Sequence, residues 1–455
     1  MKPSWVLIAA ILGSAMPFID STAVNVSLPV LQRELHATAG QTQWVIEGYA
    51  LFLSALILTG GALGDIYGRR LIFACGIVLF AIASVACAFA GSIEMLIAAR
   101  CIQGVGGALL TPGSLALISA AYTDDGARGR AIGLWSGFSA LTSAAGPVIG
   151  GWLTQEFSWR YVFVINVPIA IAVLAVLPMV ADSRDESSDR HVDVIGATLA
   201  TVGLGLLVYG LIAMNAGRIA TSAVVIAIAG LAVLAGLVVF ERNTDDPMVR
   251  CDLFASRSFS AANIYTLFLY MAIGGSLYFV PFVLINVHHY TPTQAGAALL
   301  PFIFIMVAAS RWSGGLVARV GARTPLILGS LLTGLGLLAF GLPGSDGSYW
   351  TTFFPAATIL GCGGALFVAP LTTTVMNSVP VEHSGVASGV NNAVARTAGL
   401  IGVAALGPIV TLASSYVSGF RGAMIASALL AFAAAGVAAK GFERLPATSH
   451  GLTNR

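Results

Sequence analysis

Charge is what this sequence most lacks. Of its 455 residues only 9% are Asp, Glu, Lys or Arg, while 57% are hydrophobic and the mean hydropathy is +0.89. A water-soluble protein cannot cover its surface with so little charge, so the composition excludes one and points to an all-α polytopic membrane protein. Cysteine is scarce as well. Cys75, Cys87, Cys101, Cys251 and Cys362 fall in apolar runs or a loop, without disulfide or metal-ligand spacing, and read as packing residues. There is no phosphate-binding loop and no room for a soluble nucleotide-hydrolysing domain, which argues against ATP-driven pumping. A net charge of +2 without a basic cluster gives nothing for nucleic acid. His288 and His289 are adjacent in a loop with no further ligand at metal spacing. No catalytic constellation, cofactor or metal is expected, and the chain does not read as an enzyme.

What is abundant is apolar sequence in runs of about 20 residues, the length a helix needs to cross a bilayer core. The first, 5–28, is longer than a signal peptide, carries Asp20 and lacks a small-residue cleavage site. Hydropathy places the others near 42–63, 71–90, 94–119, 131–153, 161–180, 193–214, 219–240, 261–283, 294–318, 325–342, 351–376, 385–413 and 421–439, fourteen in all. With both termini cytoplasmic, fifteen Lys and Arg fall on the inner side, four outside, and three (Arg100, Arg311, Arg396) within spans. That positive-inside bias fixes an even count.

Between the second and third spans lies a polar hinge, Gly61-Ala-Leu-Gly-Asp65-Ile-Tyr-Gly68-Arg69-Arg70. Gly68 can take a left-handed turn at no steric cost, and the arginine pair anchors the turn on the cytoplasmic side. Gly61, Leu63, Gly68 and Arg70 recur as Gly314, Leu316, Gly321 and Arg323, an offset of 253; Gly104-Val-Gly-Gly-Ala-Leu recurs at Gly361, an offset of 257. Six spans occupy about 180 residues, so the offset leaves room for two extra helices. The expected plan is six plus two plus six: an N-terminal bundle over 1–180, a linker and two extra helices over 181–258, and a C-terminal bundle over 259–455. The charged stretch 181–193 reads as a solvated linker without chemistry of its own. Asp65 aligns with Ala318 and Arg100 with Ala357, so the first half alone keeps these charges.

Charges within spans are costly and are functional candidates by default. Asp20, Glu47 and Arg100 are the proton-coupling candidates, with Asp20 favoured for its mid-span depth. Each has a structural alternative: a helix bend paired with Ser21 or Asn25 for Asp20, snorkelling to the interface for Glu47, backbone carbonyls for Arg100. Glu94 reads as an interfacial anchor and Arg311 as a side chain that snorkels to the cytoplasm. Asn25, Gln103, Asn391, Asn392 and Arg396 are the cavity candidates. The second half offers no intramembrane acid, since Asp346 and Glu382 fall in loops. In the fifth span, Gly146-Pro147-Val-Ile-Gly150-Gly151 combines a lost helical hydrogen bond with room for close packing, a tight bent seam.

These motifs carry a resemblance over nearly the whole chain. The first-span Asp-Ser-Thr-Ala-Val-Asn-Val-Ser-Leu-Pro from Asp20, the hinge, Arg100-x-x-Gln103-Gly104, the fifth-span signature, and Trp159-Arg-Tyr-Val-Phe-x-Ile-Asn166-Val-Pro168 resemble the fourteen-span drug:proton antiporter family of the major facilitator superfamily. The resemblance implies the major facilitator fold, a monomer in the cell membrane, and efflux of amphipathic small molecules driven by proton entry. The proton gradient is then the energy source, Gly61 to Arg70 gates the rocking of the two halves, and the fifth-span motif marks an exporter. Monocations or neutral molecules fit better than dications. Two alternatives stay open: a dedicated exporter of one metabolite, siderophore or antibiotic, and a membrane sensor that transports nothing.

Overall fold

A computed structural model describes residues 3–122, 124–182, 192–214, 220–244, 247–313, 316–342, 348–379 and 384–442. The chain folds as helices joined by short turns, with no strand among the described residues. Many helices begin at a side chain that satisfies an otherwise unpaired amide. Thr38 and Gln41 form a capping box at α2 (Ala39–Tyr67), Ser92 caps α4 (Ile93–Ala121), and Asp124 caps α5 (Asp125–Glu156). Before α4 come α1 (Pro3–Glu34) and α3 (Arg69–Ala88). After α5 come α6 (Tyr161–Met179), α7 (Val194–Ala213), α8 (Thr221–Asn243) and α9 (Arg257–Asn286). The last five are α10, in pieces described below, then α11 (Arg323–Gly341), α12 (Tyr349–Asn377), α13 (Ser384–Thr411) and α14 (Tyr416–Gly441).

Thirteen helices among the described residues are long and apolar enough to cross a membrane, so this is a multi-pass membrane protein. The exception is the segment expected as one span over 294–318. It is divided into Pro292–Ala297, Leu300–Ser313 and Leu316–Val320, together α10. Pro301 explains the first break: it offers no amide to the carbonyl of Ala297, and its ring crowds that carbonyl. Hydropathy averages over such a break and does not register it. Gly314, named in the sequence repeat, lies outside the described residues, as do Asp346, Glu382 and the side chain of Arg311.

Two helical groups form. In one, α4 packs on α2 and α3, while α1 packs on α4, α5 and α6; in the other, α12 packs on α10 and α11, and α9 on α13 and α14. The internal repeat is visible in their contacts. Gly68 and Gly321 both turn through positive φ, at 106° and 74°. A Cβ on Gly106 would lie 2.7 Å from the Phe80 amide, and one on Gly363 would lie 2.7 Å from the Thr333 amide. A Cβ on Gly104 would meet Tyr49 and Phe52, and one on Gly361 would meet Phe302 and Ile305. Phe80 to Thr333, Tyr49 to Phe302 and Phe52 to Ile305 each repeat the 253-residue offset. Without glycine at these positions the backbones could not approach so closely.

The pair α7 and α8 pack on each other, and α7 lies against both α2 and α13. Only 17% of the apolar window of α8 is buried, with Val225, Ile228, Leu231 and Val239 turned outward, a lipid-facing helix. The two groups meet at the end of the molecule opposite the hinge turn, through α5 with the start of α10, and along α2 with α13 and α1 with α9.

Candidate functional site

Asp20 lies midway along α1, Arg100 and Gln103 on α4, Ser84 on α3 and Asn166 on α6. All five side chains are fully buried and join in one network. Arg100 Nη1 donates to Asp20 Oδ2 at 2.5 Å and to Gln103 Oε1 at 2.6 Å, and its Nε donates to the Val45 carbonyl at 2.9 Å. Gln103 Nε2 donates to Asp20 Oδ1 and to Ser84 Oγ, both at 2.9 Å. Asn166 Nδ2 adds bonds to the same two oxygens at 3.2 and 3.3 Å. The Tyr49 ring lies beneath the guanidinium, 4.3 Å from ring centroid to Cζ. Ion pair, carbonyl and ring together compensate a cation that cannot shed its proton. Arg100 thus meets a backbone carbonyl, its structural alternative, and the acid as well. Asp20 is not paired with Ser21 or Asn25. Gln103, expected to line a cavity, is enclosed in this network instead.

Ser84 and Asn166 were not singled out from sequence for this role. A lone polar side chain in an apolar run was the available signal. The repeat sharpens the contrast, because the same offsets carry Ser84, Arg100 and Gln103 to Leu337, Ala357 and Leu360. The equivalent place in the second half is apolar and buried.

Glu47 is fully buried on α2, and neither carboxylate oxygen has a hydrogen-bond partner. One turn earlier on that face, Gln43 Nε2 donates to the Val403 carbonyl of α13 at 2.8 Å, so this face is turned toward the other half. An uncompensated charge in such a place is expensive. Near it, at the far end, a cavity of about 330 Å³ is lined by Gln32, Thr42, Gln43, Tyr278, Phe282 and Tyr416 among others, none of them charged. Of the remaining cavity candidates, Asn391 donates to Thr266 Oγ1 (2.8 Å) and Asn263 Oδ1 (3.2 Å) on α9, Asn392 is exposed, and Asn25 is half-buried with Oδ1 unpartnered.

At the hinge, Arg69 Nη2 at the start of α3 pairs across the Gly68 turn with Asp65 Oδ1 near the end of α2, at 2.8 Å. Arg70 Nη1 donates to the Val180 carbonyl at 2.9 Å, and its amide donates to Asp182 Oδ1 at 3.1 Å. Asp182 therefore ties the turn to the end of α6, while residues 183–191 of the linker lie outside the described residues. Gly61 lies along α2 beside α4, where a Cβ would be 3.7 Å from Pro112.

The α5 glycines serve two surfaces. A Cβ on Gly146 would collide with Thr22, and one on Gly150 would lie 2.6 Å from the Ala23 carbonyl; both face α1. Gly151 faces Pro292 and Thr293 of α10, and Gly296 of α10 sits on the carbonyl of Pro147. Half of the motif packs within a bundle, and half forms the contact between bundles.

Comparison with known proteins agrees with this architecture. Residues 10–403 match the family model described as Major Facilitator Superfamily. The chain is 34% identical over 410 residues to the tetracenomycin C resistance and export protein of Streptomyces glaucescens, covering 89% of this chain and 76% of that protein. It is 33% identical over 419 residues to the methylenomycin A resistance protein of Bacillus subtilis (strain 168), covering 91% and 89%. Among solved structures, a bacterial homolog of the human lysosomal transporter Spinster, inward-facing and occupied, aligns with a TM-score of 0.67 at 17% identity over 97% of this chain and 98% of that one. A point mutant of the peptide transporter POT aligns with a TM-score of 0.69 at 15% identity over 97% and 95%. A helical bundle with a repeated glycine framework, a buried Asp–Arg network in one half and this match belong together: the chain is a member of the Major Facilitator Superfamily.

Proposed function

We propose that this protein is a secondary exporter of amphipathic small molecules, driven by proton entry, with both termini cytoplasmic and fourteen spans arranged as six, two and six. α10, in its three pieces, takes the place of the fourteenth. The observation that carries the reading is the Asp20–Arg100 network, present in one half and replaced by apolar residues in the other. Protonating Asp20 removes the charge that holds Arg100 and frees the five helices that meet there to shift. Glu47, unpaired and facing the opposite half, is the second acid. Relatives named for drug resistance and export support the direction of transport. Some are named for one antibiotic, which favours the dedicated exporter as the second reading; a resistance profile of expressing cells separates the two.

The test uses proteoliposomes under an imposed pH gradient. Asp20→Asn should lose gradient-driven transport by about a hundredfold or more, the scale of a lost proton-transfer group, and keep substrate binding. Glu47→Gln should lose part of either. If Asp20→Asn transports at the wild-type rate and still collapses the gradient, coupling passes to Glu47 or is absent.

The hinge is proposed to latch the cytoplasmic gate in the outward-facing state. In this structure Asp65 and Arg69 are partly exposed, 29% and 23%, and their local pair is worth at most about 1 kcal/mol. Asp65→Asn therefore leaves this state nearly unchanged, and any large shift reports bonds Asp65 makes in the other. We expect faster cytoplasmic-side maleimide labelling of an Asn392→Cys reporter. Unchanged labelling with unchanged transport would reduce Asp65 to a turn residue.

A further inference from the structure

Arg396 lies in the middle of α13, far from either helix end. The stripe of α13 that contains it is turned toward α2. A Cβ on Gly389 would lie 3.5 Å from Leu58, Leu400 clusters with Leu51 and Ala55, and the Val403 carbonyl accepts from Gln43. The two helices run antiparallel, so Arg396 stands level with the turn of α2 around Tyr49, in the seam between the halves.

The two arginines differ in what surrounds them. Arg100 has an acid, an amide, a carbonyl and a ring, and only its Nη2 is without a partner. Among the described residues Arg396 makes no hydrogen bond and no ion pair, and its Nε is buried without a partner. The Arg396 side chain is nevertheless only half-buried, and Asn392, one turn away, is exposed. A guanidinium cannot deprotonate to escape this position, so it is held for a partner that comes and goes. Its planar fork suits carboxylate-like oxygens.

We propose that Arg396 forms an anion-binding site in the seam, and that the transported compounds include amphipathic acids: an apolar or aromatic body bearing a carboxylate, enolate or phenolate. This rests on the exporter reading and extends the expected substrates beyond monocations and neutral molecules.

The test measures binding to the purified full chain in detergent by fluorescence anisotropy, with fluorescein as the anion, ethidium as the cation and Nile red as the neutral probe. Arg396→Gln should weaken fluorescein about tenfold, the scale of one lost charge-assisted hydrogen bond, and leave Nile red within about twofold. Arg396→Lys, which keeps the charge but not the fork, should recover part of the loss. Equal weakening of all three probes would make Arg396 a structural residue and overturn the proposal, as would no change in fluorescein binding. If fluorescein binds through Arg396 but the wild-type protein moves no probe along a pH gradient, the site stands and the exporter reading falls.

Discussion

Gly151→Leu is expected to abolish transport at wild-type expression, with the end of the molecule opposite the hinge held open. In this structure the halves close there by backbone approach: a Cβ on Gly151 would lie 2.7 Å from the Pro292 carbonyl carbon and 2.9 Å from Thr293 Cα. These are main-chain atoms at the start of a short helix fixed by the Thr291–Gln294 capping box, so they cannot swing aside as a side chain would. Overpacking such a contact costs about 1–3 kcal/mol, and here that cost falls on the closed state alone, because the two surfaces separate when the end opens. Gly150→Leu and Gly146→Leu should behave differently, since those positions face α1 inside one bundle. There the same overpacking penalises every folded conformation and appears as lower thermal stability and yield. A Thr293→Cys reporter labelled from outside with an impermeant maleimide separates the two. Labelling should rise at least about fivefold with Gly151→Leu, the low end of that energy range converted to a population, and stay flat with Gly150→Leu. Wild-type labelling and wild-type transport by Gly151→Leu would mean that this contact does not gate.

The contrast between Gly150 and Gly151 also marks how far the sequence could be read. Close packing was legible from Gly146-Pro-x-x-Gly-Gly, but which partner each glycine touches depends on helix rotation, and adjacent residues face about 100° apart. The hinge was legible because it is local: a glycine flanked by charges between two apolar runs can do little else, and Gly68 and its repeat Gly321 both adopt positive φ. The intramembrane charges were legible one by one. That Asp20 and Arg100, 80 residues apart, are partners was not, because two helices and their rotation intervene. Ser84 and Asn166 gave still less away, since an isolated small polar residue can satisfy itself on its own helix. The division of α10 was hidden for the opposite reason: a hydropathy window averages across Pro301.

The largest stability effect should come from Arg100→Gln. It removes the only cation bonded to Asp20 among the described residues and leaves a carboxylate at 0% exposure with two amides, from Gln103 and Asn166. Breaking one side of a buried pair typically costs about 3–5 kcal/mol, because the remaining charge stays desolvated. The network gives it little chance to relax, as Ser84 already donates to the Phe80 carbonyl at 2.8 Å and Gln103 bridges Asp20 and Ser84. Asp20→Asn alone leaves a buried guanidinium, but one that keeps the Val45 carbonyl, Gln103 Oε1 and the Tyr49 ring, so its loss should be smaller. The double variant Asp20→Asn/Arg100→Gln carries neither charge, and an apolar or neutral replacement of a buried pair is often near neutral. Its thermal midpoint in detergent should therefore lie above that of Arg100→Gln and approach wild type, a coupling of at least about 2 kcal/mol in the double-mutant cycle. Transport should stay lost in all three. Additive losses, or an Arg100→Gln protein that melts with wild type, would mean that the bond holds nothing in place, and Asp20 would then be a proton site that Arg100 does not tune.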